Sequence, residues 1–165
     1  MEKCTAILEK NTSGVLAVLR DGGYPYAVPV SYVYEEGKLY FHCAKRGHKL
    51  DAIKACNQVL FCVVDQDLVA PQEYTSYYRS VIVFGKAVIM EKEEEIRRGL
   101  KKLALEYAPH DSEEGRSRAI EKDRAEVCIV EITIEHMTGK EAIELARKRI
   151  SGTAISACAD SQKRI

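Results

Sequence analysis

No excess of charge marks this chain of 165 residues: 25 Lys plus Arg stand against 25 Asp plus Glu. That balance removes the electrostatic case for general nucleic-acid or membrane-surface binding, so any basic patch must be local. Long apolar runs are also missing, since none approaches the roughly 20 residues that span a bilayer. The opening Met1-Glu2-Lys3-Cys4-Thr5 lacks the basic start and apolar run of a secretory signal. The expectation is a soluble cytoplasmic protein with neither nucleic acid nor membrane as a partner. Tryptophan is absent altogether.

The six cysteines, Cys4, Cys43, Cys56, Cys62, Cys128 and Cys158, form no C-x-x-C pair. Zinc ribbons and thioredoxin-like sites are therefore not signalled, and no metal site is expected. Cys62 and Cys128 lie in apolar runs, where cysteine acts as a small hydrophobe. Free thiols in a reducing compartment fit this usage, and Asn11-Thr12-Ser13 then reads as a chance glycosylation match. No strand is followed by G-x-G-x-x-G, and Gly85-Lys86 and Gly139-Lys140 lack the rest of a Walker A loop. Neither G-x-S-x-G nor H-E-x-x-H occurs. Isolated His110 and His136 read as surface residues.

What is present is a β-meander. Residues 13–20 (SGVLAVLR) run into Asp21-Gly22-Gly23, a hairpin signal. Residues 25–34 (PYAVPVSYVY) form a second strand, and residues 38–43 (KLYFHC) a third. Pro29 cannot donate to a ladder and marks an edge or bulge. After a short helix near Leu50 and Ile53, residues 58–65 (QVLFCVVD) read as a buried strand. Residues 67–78, with Pro71, Tyr74, Tyr77 and Tyr78, read as a loop. Residues 80–90 form a strand interrupted at Gly85, a bulge position. The spacing of Ile96, Leu100, Leu103 and Tyr107 predicts a long helix ended by Pro109. Residues 110–124 are a second, solvated helix or a loop, residues 126–136 alternate as a last strand, and residues 140–150 can form a final helix. The expected fold is mainly β, a six-stranded antiparallel barrel with flanking helices. It forms one domain over residues 1–150, with a loosely ordered tail over 151–165.

The segment richest in chemistry is Tyr40-Phe41-His42-Cys43-Ala44-Lys45-Arg46-Gly47-His48-Lys49-Leu50. A strand feeds a turn holding Lys45, Arg46, His48 and Lys49 where a helix begins. Unpaired N–H groups and the positive dipole end make such a place suited to a phosphate. Gly47 lets the backbone approach a ligand, Arg46 can fork onto two oxygens, and the lysines act as point charges. A solvated basic turn that binds nothing is the alternative reading of the same residues. A Cys43–histidine dyad is disfavoured, because neighbours on a strand face opposite ways.

Tyr24-Pro25-Tyr26-Ala27-Val28-Pro29-Val30-Ser31-Tyr32, then Leu39-Tyr40-Phe41-His42-Cys43-Ala44, then Gly47-His48-Lys49-Leu50 together resemble the pyridoxamine-phosphate-oxidase-like flavin-binding split barrels. The pattern is most similar to their 5-nitroimidazole resistance (nitroreductase-like) branch, and the likeness runs from about Val15 to Lys140. The resemblance implies FMN, with FAD possible, at the interface of a homodimer. By the same resemblance Val28, Pro29, Val30, Ser31 and Tyr32 line the isoalloxazine ring with backbone groups. His42, Cys43 and Ala44 run beside the ribityl chain, and Lys45, Arg46, Gly47, His48 and Lys49 hold the phosphate. Tyr78, Arg79, Ser80 and Val81 reach the flavin from the other subunit. The implied activity is an FMN-dependent oxidoreductase that takes electrons from a nicotinamide donor and reduces a small acceptor such as a nitroaromatic. His42 is then the candidate catalytic residue, donating a proton or hydrogen bond. Tyr74, Tyr77 and Tyr78 could stack on the ring or simply pack. A non-catalytic flavin-storage or sensor protein is the alternative. The lack of tryptophan and of an arginine-containing C-terminal substrate segment argues against vitamin B6 oxidation.

Overall fold

A computed structural model describes residues 2–19 and 22–150 of the chain. The predicted tail over 151–165, with Cys158, lies outside the described residues. Among the described residues seven antiparallel strands form one sheet: β1 (Ser13–Leu19), β2 (Pro25–Ser31), β3 (Val33–Glu35), β4 (Lys38–Ala44), β5 (Gln58–Ala70), β6 (Thr75–Ile89) and β7 (Val127–Glu141). Their order is β2-β1-β5-β6-β7-β4-β3. The first and last strands of that order are joined in sequence by Tyr32 alone. The sheet therefore curls back on itself at a one-residue corner, a split-barrel arrangement of the mainly β class.

This corner is why seven strands stand where six were expected: residues 25–34 are two strands rather than one. Tyr32 is fully buried. Its N–H donates to the Thr12 carbonyl at 2.9 Å, and its hydroxyl donates to the Leu8 carbonyl at 2.9 Å. The Tyr107 hydroxyl shares its proton between the Thr12 carbonyl at 2.5 Å and the Tyr32 carbonyl at 3.0 Å. Burial pushes the Tyr32 hydroxyl well above the usual phenol range, so it stays a donor.

Among the described residues five helices flank the sheet: α1 (Glu2–Lys10), α2 (His48–Ala55), α3 (Glu93–Tyr107), α4 (Glu113–Asp123) and α5 (Ile143–Ile150). Helix α1 was not legible, because its short mixed segment buries only Ile7 and Leu8. Residues 67–78, expected as a loop, instead continue the β5–β6 ladder from Asp67↔Tyr78 to Ala70↔Thr75. Pro71 sits in a 3₁₀ turn over Pro71–Glu73 at the tip, outside the ladder, where its missing N–H costs no pairing. The Gly85 irregularity is present as a register shift between Phe84 and Gly85. Helix α4 takes the helical option for residues 110–124, with Ser112 Oγ capping Gly115 N–H at 2.9 Å.

Leu16, Phe41, Phe61, Val63, Val81, Val83, Val130 and Ile132 fill the barrel with no exposure. A second cluster packs Leu100 and Leu103 of α3 on Tyr40 and Ile129. Gly99 permits this approach, since a Cβ there would sit 2.7 Å from Ile129 Cγ2. Beside it, nearly buried Glu131 receives Lys38 Nζ at 2.7 Å. Burial and the bond to Glu131 raise the Tyr40 hydroxyl to about 12.

Candidate functional site

Strand β4 alternates, with Phe41 and Cys43 buried and His42 and Ala44 exposed. The chain leaves the sheet at Ala44 and turns through Lys45, Arg46 and Gly47 into α2. Gly47 has φ 137°, a backbone state that side chains disfavour. Its carbonyl accepts Leu50 N–H at 2.9 Å and Asp51 N–H at 3.2 Å. Having no side chain, Gly47 cannot cap the helix. The His48 and Lys49 amides thus stand at the positive end of α2 with no partner within the helix.

The turn packs three cations, Lys45, Arg46 and Lys49, into five residues. Among the described residues, Lys10, Lys38, Lys86, Arg97, Lys102 and Arg124 each meet a carboxylate. None of the ion pairs among those residues involves Lys45, Arg46 or Lys49. Three cations therefore stand together without an acid to neutralise them.

Edge strand β2 adjoins the turn. The Tyr26 ring meets the His48 ring edge-on, with centroids 6.3 Å apart. Along β2 the side chains of Tyr26, Val28 and Val30 are half-buried, while Ala27, Pro29 and Ser31 are exposed. Pro29 pairs only with Val15 of β1, consistent with the edge expected for it. Of the residues named from the sequence, Val28 to Ser31, His42, Ala44 and Lys45 to Lys49 thus fall on the strand edge, strand end and turn that adjoin. Tyr32 and Cys43 can offer a ligand only backbone, because their side chains are buried.

Tyr78, Arg79, Ser80 and Val81 lie elsewhere. Ala44 pairs with Val127 and Arg79 with Glu141, the two ends of β7. At about 3.3 Å per residue that strand has a contour of about 46 Å. Val81 is buried in the barrel. Arg79 Nη1 meets Asp65 at 3.1 Å and Arg79 Nε meets Glu141 at 3.6 Å. Lys140 lies 5.4 Å from the Tyr78 ring centroid. Asp65 also accepts from Lys10 Nζ at 2.8 Å and Asn11 Nδ2 at 3.2 Å. Burial pushes its carboxyl up, but these donors outweigh burial and hold it below the ordinary aspartate range. Arg79 and Ser80 line a cavity of about 920 Å³ with α1 and residues 139–141. Tyr74 is almost wholly exposed at the hairpin tip, and Tyr77 is buried with its hydroxyl on Glu73. One protomer thus carries two separate surfaces.

Nothing in the sequence signals Asp65, Tyr107 or Cys128 at these places. Each acquires its role from a partner more than 50 residues away, Lys10, Thr12 and Cys43 respectively.

A barrel closed at a one-residue corner, with a basic turn leading from strand to helix, can be set beside known proteins. Residues 1–141 match the family model described as pyridoxamine 5'-phosphate oxidase. The chain belongs to the pyridoxamine 5'-phosphate oxidase family. Solved structures agree on the family's fold. A candidate 5-nitroimidazole antibiotic resistance protein from Bacteroides thetaiotaomicron is 22% identical with a TM-score of 0.69, covering 84% of this chain and 81% of its own. A conserved hypothetical protein from Mycobacterium tuberculosis reaches a TM-score of 0.73 at 17% identity, covering 88% and 86%. An FAD-binding protein from Mesorhizobium loti is 23% identical with a TM-score of 0.59, covering 86% and 94%. No curated protein matches the chain.

Proposed function

We propose that this member of the pyridoxamine 5'-phosphate oxidase family binds a flavin, FMN or FAD, and works as a cytoplasmic flavin-dependent oxidoreductase. The observation that carries the reading is the trio Lys45, Arg46 and Lys49, left unneutralised at the start of α2 and next to the open edge of β2. A flavin phosphate fits this turn chemically. Arg46 offers a forked donor set, the lysines offer charge, and the His48 and Lys49 amides point from the helix end. The β2 edge from Val28 to Ser31 supplies a flat wall with backbone groups free on one side. FAD-binding relatives of the same fold, such as the Mesorhizobium loti protein, support the ligand class.

When bound, the flavin supplies hydride chemistry, and the protein supplies orientation and exclusion of water. The activity proposed is reduction of a small acceptor, such as a nitroimidazole or another nitroaromatic, by a nicotinamide donor. His42 would donate a proton or hydrogen bond to the acceptor, a role supported by its exposure on β4 next to the turn. His48 serves the phosphate and packs on Tyr26.

The proposed active form is a homodimer, a reading that the separation of the two surfaces supports. Tyr78, Arg79 and Ser80 would meet the flavin from the partner, leaving a lone protomer with half a pocket. Val64, Leu68, Val69 and Tyr74 on the β5–β6 hairpin are exposed apolar or aromatic side chains that a second copy could cover.

The visible spectrum of protein purified without added cofactor, followed by acid release of the chromophore, tests the ligand. A flavin in the supernatant is expected; colourless protein that also refuses added FMN and FAD ends the reading. Turnover of a nitroaromatic with NADH or NADPH separates an enzyme from a storage or sensor protein, which would bind flavin without turnover. Sedimentation velocity reads the dimer.

A further inference from the structure

Cys43 of β4 and Cys128 of β7 are directly opposed across the antiparallel ladder, with sulfurs 3.5 Å apart and both residues almost fully buried. We propose that these two thiols form a redox-active site at which a hydroperoxide is reduced and a Cys43–Cys128 disulfide is formed reversibly. Opposed residues in an antiparallel pair have Cα atoms about 4.5 or about 5.5 Å apart, and both values lie within the span a disulfide bridges. The strands already hold the geometry, and only the sulfurs need to close.

The surroundings favour one nucleophile. The two thiols share one S–H hydrogen bond, so the pair gives up its first proton early and its second late. Cys128 is lowered to about 7 by the bond from Cys43 and by the nearby Lys49 and Lys45 cations, while the Cys43 thiol is pushed up. The Cys128 thiolate sulfur attacks a peroxide oxygen: an S–O bond forms, the O–O bond breaks, and the departing hydroxide takes a proton to become water. Cys43 sulfur then attacks the Cys128 sulfur of that sulfenic acid. The S–S bond forms, the S–O bond breaks, and the leaving hydroxide takes the Cys43 proton. The two thiols lose two electrons in all, and hydrogen peroxide becomes two waters.

The test treats the full chain, as purified, with hydrogen peroxide, blocks the remaining thiols, digests with trypsin without reductant and maps the peptides. Peptide 39–45, holding Cys43, is expected covalently joined to peptide 125–140, holding Cys128, and released by dithiothreitol. C43A and C128A each abolish the cross-link, whereas C62A retains it. In C43A the reaction stops at a Cys128 sulfenic acid, which dimedone traps. The proposal is overturned if Cys43 and Cys128 stay reduced while other cysteines react. It is equally overturned if they go to sulfinic or sulfonic acid without a bridge, or cross-link only between chains.

Discussion

Two regions of this molecule gather basic residues and differ in what surrounds them. At the Asp65 end, Lys10 and Arg79 converge on one carboxylate whose side chain is 2% exposed. At the start of α2, Lys45, Arg46 and Lys49 have no such partner among the described residues. Charge written in a sequence is thus not the same as charge available to a ligand; the fold neutralises it in one place and leaves it exposed in another. The first region serves stability and the second is free to serve binding.

The sharpest way to break that contrast is Asp65→Ala. It removes the buried acceptor shared by Lys10, Asn11 and Arg79, and hydrogen bonds to a charged group contribute about 1.5–3 kcal/mol each. Because Lys10 and Arg79 are partly exposed, about 3 kcal/mol is expected in urea unfolding. The proton linkage follows the same site. A carboxyl held below its unfolded value of about 3.9 adds stability that is fully present above that pH. It is lost as pH falls through the lower folded value. Acid unfolding curves of the wild type should therefore steepen below about pH 4, and those of Asp65→Asn should be flatter in that window.

The complementary change is Arg46→Ala with Lys49→Ala. Charge-assisted bonds of about 1.5–3 kcal/mol each are at stake, and geometry at an exposed turn discounts them. A loss of about 30-fold in FMN affinity by fluorescence titration, roughly 2 kcal/mol, is expected with the unfolding midpoint unchanged. A stability loss as large as that of Asp65→Ala would erase the distinction between the regions. Raising ionic strength should weaken FMN binding in the wild type and have less effect in the double variant, because the removed charges are the screened ones. The smallest effect belongs to Lys10→Ala. Its side chain is 69% exposed, so about 0.5 kcal/mol or less of stability should go with it.

Much of this architecture was legible because local chemistry announced it. Gly22 and Gly23 have positive φ, Pro29 marks an edge strand, Gly85 sits at the irregularity, and the periodicity of Leu100 and Leu103 buries one face of α3. The turn from Lys45 to Lys49 was readable for the same reason, since all its parts are neighbours in sequence. What was not legible depends on distant partners. Residues 67–70 and 75–78 look like a loop because, with Leu68 and Val69 exposed, they lack the apolar alternation of a half-buried strand; only their pairing makes them one. Tyr32 looks like a strand residue until Thr12, Leu8 and Tyr107 fasten it as a corner. Cys43 and Cys128 each read as core filler, and only the β4–β7 register places them face to face.

The edges of the sheet carry one more consequence, for behaviour in concentrated solution. An edge strand with free N–H and C=O groups is a template on which foreign strands can add, the first step of sheet-to-sheet aggregation. Here β2 carries Pro29, which has no amide hydrogen to offer and a ring that obstructs an incoming backbone. The opposite edge, β3, is only three residues long and ends in Glu35, too short to seed an extended ladder. The protein can therefore present an open strand edge to a small ligand while giving little purchase to another chain's β-strand.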